Sequence, residues 1–383
     1  MVLPNYKDGS IVNLMSSISK AFGKKSSYKE LKILPAKELN SKNVVLLVID
    51  GLGYEYLKKH KNSNLAKHLK GSFTSVFPPT TASAITTFIT GLAPMQHAIT
   101  GWTMLIKEIG VVSKILPFVP EYGGGRLSEQ GVEAKSIVQM QSLASKLNVK
   151  CYNIIDSFII KSDFNKSVSQ KLNNMPYKNL NGFFSNTIKA VKNNNKRKFV
   201  YAYWPDFDNF SHEFGNNSKQ AEKHFWLLDR KFKRFIAKLK GTDSTIIVTA
   251  DHGFIDVPKK KIVWLDNHPK LKECLTLPLC GESRVVYCYV HPRKTRQFEN
   301  YVKTKLKKYC WMIKAEDAVK KGYFGLFEPN KNLFDRIGDY ILVMKENYVI
   351  KDLMIHKKPR QFIGFHAGVS KEEMIVPLIL VKV

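Results

Sequence analysis

Thr245-Ile246-Ile247-Val248-Thr249-Ala250-Asp251-His252-Gly253 is the stretch whose reading decides the fold. Its short apolar run reads as a buried strand of a parallel sheet. The run ends abruptly in a carboxylate, an imidazole and a glycine. Open α/β sheets bind ligands just outside the carboxyl ends of their strands, so Asp251 and His252 are expected at that rim.

Upstream, Val44-Val45-Leu46-Leu47-Val48-Ile49-Asp50-Gly51 has the same form. Asp-Gly is also a common turn pair, so Asp50 is a weak candidate alone and a stronger one beside Asp251. A third apolar strand, 199–204, runs into Pro205-Asp206-Phe207-Asp208-Asn209-Phe210-Ser211-His212. Asp208 and His212 are four apart, so a helical turn puts both on one face. Asp206, six residues from His212, fits that face less well. Strands are also expected over 149–155 and 374–383, the latter with Pro377 weighing against its interior. Helical spacing marks 10–22 and 219–240, and the second helix is ended by Gly241. The chain is therefore expected to be α/β, a mainly parallel sheet between helices.

In 73–91, Phe-Thr-Ser-Val-Phe-Pro-Pro-Thr-Thr-Ala-Ser-Ala, the Pro78-Pro79 pair bars regular helix before it. Thr80 or Thr81 can cap the helix that follows, and Gly91 stops it. A threonine there is either a simple cap or a hydroxyl held where free N–H groups attract anions. His97 reads as structural. The loop Gly123-Gly124-Gly125-Arg126 lacks the Gly-Lys-Ser/Thr ending of a phosphate-binding loop. Arg126 is still a candidate contact for an anionic substrate.

Residues 256–349 change character. Val285-Val286-Tyr287-Cys288-Tyr289-Val290 alternates like a half-exposed strand. The stretch reads as an inserted α+β lobe capping the site, with a core of 1–255 and 350–383. The chain returns through His366, and Ser370 and Glu373 have the spacing of a capping box.

With 383 residues, 44% of them hydrophobic, the chain can bury a full core. Its five cysteines are odd in number and none forms a C-x-x-C pair, which favours reduced structural thiols. No apolar run approaches the roughly 18 residues of a membrane span. The N-terminus lacks signal-peptide features, so a cytoplasmic location is expected, with leaderless export left open. The formal charge of +29 is carried by scattered lysines. These are solvated helix faces, or else a field that draws an anionic substrate, nucleic acid or membrane surface to the basic face. No nucleic-acid motif sharpens the second reading.

Asp50, Thr81, Asp208, His212, Asp251, His252 and His366 together form an oxygen and nitrogen donor set. Such a set suits two divalent ions such as zinc.

The stretches VVLLVIDGLG, FPPTTASAITTFITGLAPMQHAITG, YWPDFDNFSHEFG, IIVTADHGF and HAGVSKEEMIVPLIL resemble the type I phosphodiesterase/nucleotide pyrophosphatase family of the alkaline phosphatase superfamily. The resemblance implies an alkaline-phosphatase-like core holding two metal ions. Asp50, Thr81, Asp251 and His252 would hold one, and Asp208, His212 and His366 the other. It selects Thr81 over Thr80 as nucleophile, because the family threonine lies nine residues before the helix-closing Thr-Gly, here Thr90-Gly91. It further implies a covalent phosphothreonine and nucleotide-like phosphodiester substrates. Two departures stand out. The family's phosphoryl-binding asparagine has no counterpart in 99–104, and Ser211 replaces a glycine. Trp102 joins Arg126 as a candidate substrate contact, and Phe77, Trp204 and Phe210 are further aromatics that could stack a base. The competing readings are a phosphomonoesterase or phosphonate hydrolase on the same scaffold, and a non-enzymatic anion- or nucleic-acid-binding protein. A sulfatase is disfavoured because no cysteine occupies the nucleophile region, and a phosphosugar mutase because the motifs are pyrophosphatase-like.

Overall fold

In the computed structural model, residues 1–353 and 361–383 are described; the part of the 350–383 core assignment at 354–360 lies outside them. Seven strands form the first sheet: β1 (Asn43–Ile49), β2 (Leu69–Thr74), β3 (Lys150–Asp156), β4 (Asn173–Tyr177), β5 (Lys198–Trp204), β6 (Ser244–Thr249) and β7 (Ile375–Lys382). Their spatial order is β2-β7-β6-β1-β5-β3-β4. From β6 to β4 every pairing is parallel, and β7 runs antiparallel to both its neighbours. The central strands β1, β5 and β6 are buried over their whole length, as their unbroken apolar sequences require.

One hydrophobic core joins these strands to four helices: Ile11–Ala21, α1 (Thr81–Thr90), Leu180–Lys192 and Lys219–Lys238. The last carries Phe225, Leu228, Phe232 and Phe235 as one buried stripe. Pro377 sits inside β7 without breaking it. It pairs with Ser72 of β2, whereas pairing to β6 starts at Ile379, after a register shift. The missing proline N–H therefore falls where β6 does not reach.

A second, antiparallel sheet has the order 310–314, 340–344, 285–288, 280–281, 103–106, 111–114, 119–120. It has its own apolar core. The 103–120 strands, which fall within the 1–255 stretch expected as core, join it through Thr103 opposite Gly281. The second sheet thus draws on two stretches of chain. All five cysteines are free and buried. Among the described residues no helix is long and apolar enough to cross a membrane.

Candidate active site

Register brings the site together. Val48 lies opposite both Tyr203 and Thr249, so β1, β5 and β6 end level. The Asp50 N–H donates to Trp204 O at 2.9 Å, and the Gly51 N–H donates to Asp251 Oδ1 at 3.0 Å. Directly after β5, α2 (Asp206–Phe214) sets Asp208 and His212 on one face, with His212 Nε2 3.6 Å from Asp208 Oδ1.

His252 is the hub. Its Nε2 lies 3.3 Å from Asp50 Oδ1, 3.4 Å from Asp251 Oδ2 and 3.9 Å from Asp208 Oδ1. The His366 ring stacks on His252 with centroids 3.8 Å apart, and its Nε2 is 4.0 Å from Asp208 Oδ1. Thr81, the first residue of α1, places Oγ1 3.2 Å from His252 Nε2. All seven residues singled out from the sequence therefore converge on one rim. The loops meet so closely that a Cβ on Gly253 would lie 2.0 Å from Glu372 O. Only glycine fits there.

Burial first, then Asp251 and Asp208, pushes the Asp50 carboxyl well above the usual range. Burial and Asp251 do the same to Asp208. Burial holds His252 below its ordinary value, and burial with His252 and His212 lowers His366. Each shift disfavours charge, and a bound cation reverses that for the carboxylates. The side chains suit such a group. Asp50 Oδ1, Asp208 Oδ1 and Asp251 Oδ2 are buried with no hydrogen-bond partner among the described residues, and buried carboxylates need a counter-charge or a metal. His212 Nδ1 donates to Gly364 O at 2.9 Å and His252 Nδ1 to Gly253 O at 3.2 Å, which leaves Nε2 of each as an acceptor. Two triads, Asp50-Asp251-His252 and Asp208-His252-His366, each hold their donor atoms within 4.8 Å of one another.

A cavity of about 340 Å³ opens beside these groups, lined in part by Asp50, Thr81, Asp208, Trp102, Tyr201 and Tyr203. Trp102 also borders a second cavity, which Glu282 lines. Arg126 does not line the first cavity. It is exposed on a loop and caps the short helical turn Leu127–Gln130, its N–H donating to Glu129 Oε2 at 3.0 Å. The other aromatics are occupied elsewhere: Phe77 packs against Tyr323 and Phe324, and Trp204 and Phe210 stack on His224.

Three site residues escaped the sequence reading. The Tyr203 hydroxyl donates to Asp50 Oδ2. Tyr201, two residues earlier and so on the same strand face, has a buried hydroxyl without a partner among the described residues. That alternation in Phe199-Val200-Tyr201-Ala202-Tyr203 was the available signal. Glu282 Oε1 accepts from Thr80 Oγ1 at 2.5 Å and from the Trp102 N–H at 2.8 Å, and burial pushes its carboxyl up to about 7. Thr80 is the N-cap of α1 by position, but its hydroxyl serves Glu282 instead of the helix. Nothing in the sequence links 282 to 80.

A search of curated protein sequences finds no match. Among solved structures, murine ectonucleotide pyrophosphatase/phosphodiesterase 5 is similar, with a TM-score of 0.66 at 18% identity over 88% of this chain and 87% of that one. An inactive variant of that murine protein in complex with AMP aligns with a TM-score of 0.65 at 17% identity, covering 88% and 87%. Phosphonoacetate hydrolase from Sinorhizobium meliloti 1021, in complex with phosphonoformate, gives 0.60 at 16% identity, covering 88% and 89%. The family model for type I phosphodiesterase/nucleotide pyrophosphatase matches residues 44–368. The chain belongs to the type I phosphodiesterase/nucleotide pyrophosphatase family of the alkaline phosphatase superfamily and is a metal-dependent phosphoric ester hydrolase.

Proposed function

We propose that the chain hydrolyses phosphodiesters with Thr81 as nucleophile, and that two zinc ions are the resident metals. The observation that carries this reading is the Thr81 hydroxyl at the N-terminus of α1, beside three buried carboxylate oxygens that have no hydrogen-bond partner among the described residues. Asp50, Asp251, His252 and Thr81 would hold one ion, and Asp208, His212 and His366 the other. When bound, the ions would supply Lewis-acid stabilisation of phosphoryl charge and lower the pKa of oxygen nucleophiles.

The chain's own residues do the rest. Thr81 Oγ1 forms a bond to phosphorus while the ester bond breaks, and the alcohol leaves with the electron pair and takes up a proton. Water then adds to the phosphothreonine, which releases the phosphate monoester and restores the Thr81 hydroxyl. The free N–H groups of the first turn of α1 point to where the phosphoryl oxygens would lie. Tyr203 holds the Asp50 carboxylate in place. The second lobe reaches the site through Glu282, which fixes Thr80 beside the nucleophile.

The AMP complex of the murine protein supports a nucleotide-like diester as one substrate. A dianionic monoester or a phosphonate would need further cations, and no Lys or Arg is among the described residues lining the cavity. That favours the diester. The +29 charge would steer such anions inward.

The test is turnover of bis(para-nitrophenyl) phosphate by zinc-loaded protein, with metal content measured by mass spectrometry. Thr81→Ala is expected to lose turnover by about 10³-fold or more while remaining folded, a drop of the size seen when a nucleophile is removed. Wild-type-like turnover in that variant overturns the mechanism.

A further inference from the structure

We infer that the substrate group held next to phosphorus is a hydrocarbon chain of up to about ten carbons. This rests on the phosphodiesterase reading above but departs from its nucleotide-like substrate: the class it names is a phosphoester of an alkyl alcohol.

The cavity beside Thr81 is built from aliphatic side chains. Ile85 and Ile89 follow Thr81 at four-residue intervals, so all three lie on one face of α1. The helix that presents the hydroxyl therefore lays an apolar track leading away from it, about 12 Å long at ~1.5 Å per residue. Leu116, Ile155, Ile159 and Val168 add further aliphatic wall. At the ~30 Å³ a water-sized group occupies, 340 Å³ shared with the phosphoryl group holds a chain of at most about ten carbons. Phe158, 85% exposed, borders the same cavity and extends its apolar surface toward solvent.

A nucleobase would find little to bond here. Ser162 Oγ accepts from the Asn165 N–H at 3.1 Å, and the Asn165 side-chain amide donates to Ile160 O at 3.4 Å. Among the described lining residues, the buried polar atoms without partners are Asp50 Oδ1, Asp208 Oδ1 and Tyr201 Oη. The carboxylates belong to the cation site, which leaves the Tyr201 hydroxyl as the buried unpartnered group, among the described residues, that a polar atom near phosphorus could meet. The ring nitrogens and exocyclic groups of a base would be desolvated without compensation. A base could still stack on Trp102 at the edge of the cavity, so a nucleoside ester is the competing probe.

The experiment measures kcat/KM of the zinc-loaded protein on para-nitrophenyl esters of methyl, butyl, octyl and decyl phosphate, all below their micelle concentrations, and on the para-nitrophenyl ester of thymidine monophosphate. Burying each methylene should raise kcat/KM by about fourfold, with a plateau near the decyl ester. Ile89→Trp and, on another part of the wall, Leu116→Trp should each move the plateau to shorter chains. A flat series, or a thymidine ester turned over tenfold faster than the decyl ester, overturns the inference. Calorimetric binding of decyl phosphate and of AMP provides a readout without turnover. Decyl phosphate should bind more tightly, and tighter AMP binding overturns the inference. If no ester is cleaved but decyl phosphate binds preferentially, the hydrolytic reading fails and the hydrocarbon site stands.

Discussion

The Tyr203 hydroxyl and the Asp50 carboxylate show how one residue can tune a cation site without touching the cation. Tyr203 donates to Oδ2, which turns Oδ1 toward His252 Nε2. His212 and His252 are held in the same way, each by a backbone carbonyl at Nδ1. Partners of this kind raise ligand basicity and fix orientation, and removing one costs about 10–100-fold in metal affinity. Tyr203→Phe is expected to lower zinc affinity by that factor, measured by competition with a chromophoric chelator, with an unchanged circular dichroism spectrum. Retention of wild-type affinity would mean that Asp50 orients itself. The convergence of the strand-end carboxylates was legible in the sequence because a carboxylate directly after an apolar strand leaves few places for it to lie. Tyr203 was not, because a tyrosine inside a strand reads as core until its hydroxyl is seen to need a partner. Arg126, which lies off the first cavity, shows the converse. A charge in a glycine loop carries no information about where the loop goes.

At the scale of elements, α1 is anchored at its far end by His97. The Ile99 N–H donates to His97 Nδ1 at 3.0 Å, so the proton sits on Nε2, which faces Thr87 Oγ1 at 3.1 Å. Burial holds the imidazole at a pKa of about 3, against a backbone bond at Ser83 and with help from the nearby Arg336 guanidinium. The unfolded chain, with histidine near 6.5, binds more protons than the folded one between those values. Stability is therefore complete above about 6.5 and falls as pH drops toward 3, by up to a factor of about ten in the folded-to-unfolded ratio per pH unit. His224, lowered to about 4 by burial, contributes in the same direction. His97→Gln cannot take up the proton. It should start less stable at neutral pH, and its urea midpoint should fall less steeply between about pH 6 and 4.5. Parallel slopes for variant and wild type would exclude His97 as the acid-sensitive anchor. Element type was readable wherever one period dominated, as in the strands ending at Asp50 and Asp251. The Ser370-Glu373 spacing was a half-truth. Ser370 Oγ accepts from the Glu373 N–H, but the Glu373 side chain is used elsewhere.

That other use binds the whole molecule together. Arg284, just ahead of the 285–288 strand of the second sheet, donates from Nε and Nη2 to the two Glu373 oxygens at 2.9 and 2.7 Å, and from Nη1 to Tyr348 O at 2.6 Å. Glu373 Oε1 also accepts from the Gly368 N–H at 2.7 Å, and its backbone carbonyl accepts from the Gly253 N–H at 2.9 Å. One residue thus ties the second sheet to both site segments, its carboxylate to the one carrying His366 and its backbone carbonyl to the one carrying His252. Both partners are buried, so no sequence pattern marks the pair: 89 residues separate them, and each reads alone as an ordinary surface charge. The same blindness hid the 103–120 strands, whose partners lie far along the chain. The clamp predicts a non-additive pair of variants. Glu373→Gln leaves a buried guanidinium unpaired and should cost about 3–5 kcal/mol, whereas replacing both partners with apolar residues, Arg284→Met with Glu373→Leu, should cost much less than the sum of the singles. Urea denaturation of the two singles and the double checks this. Zinc affinity separates the two roles: in the stabilised double variant Gly368 has still lost its acceptor, so affinity should remain below wild type even where stability has returned. Full recovery of both would reduce Glu373 to a neutraliser of Arg284, and recovery of neither would show that the segments around His252 and His366 depend on this charge pair for their folding.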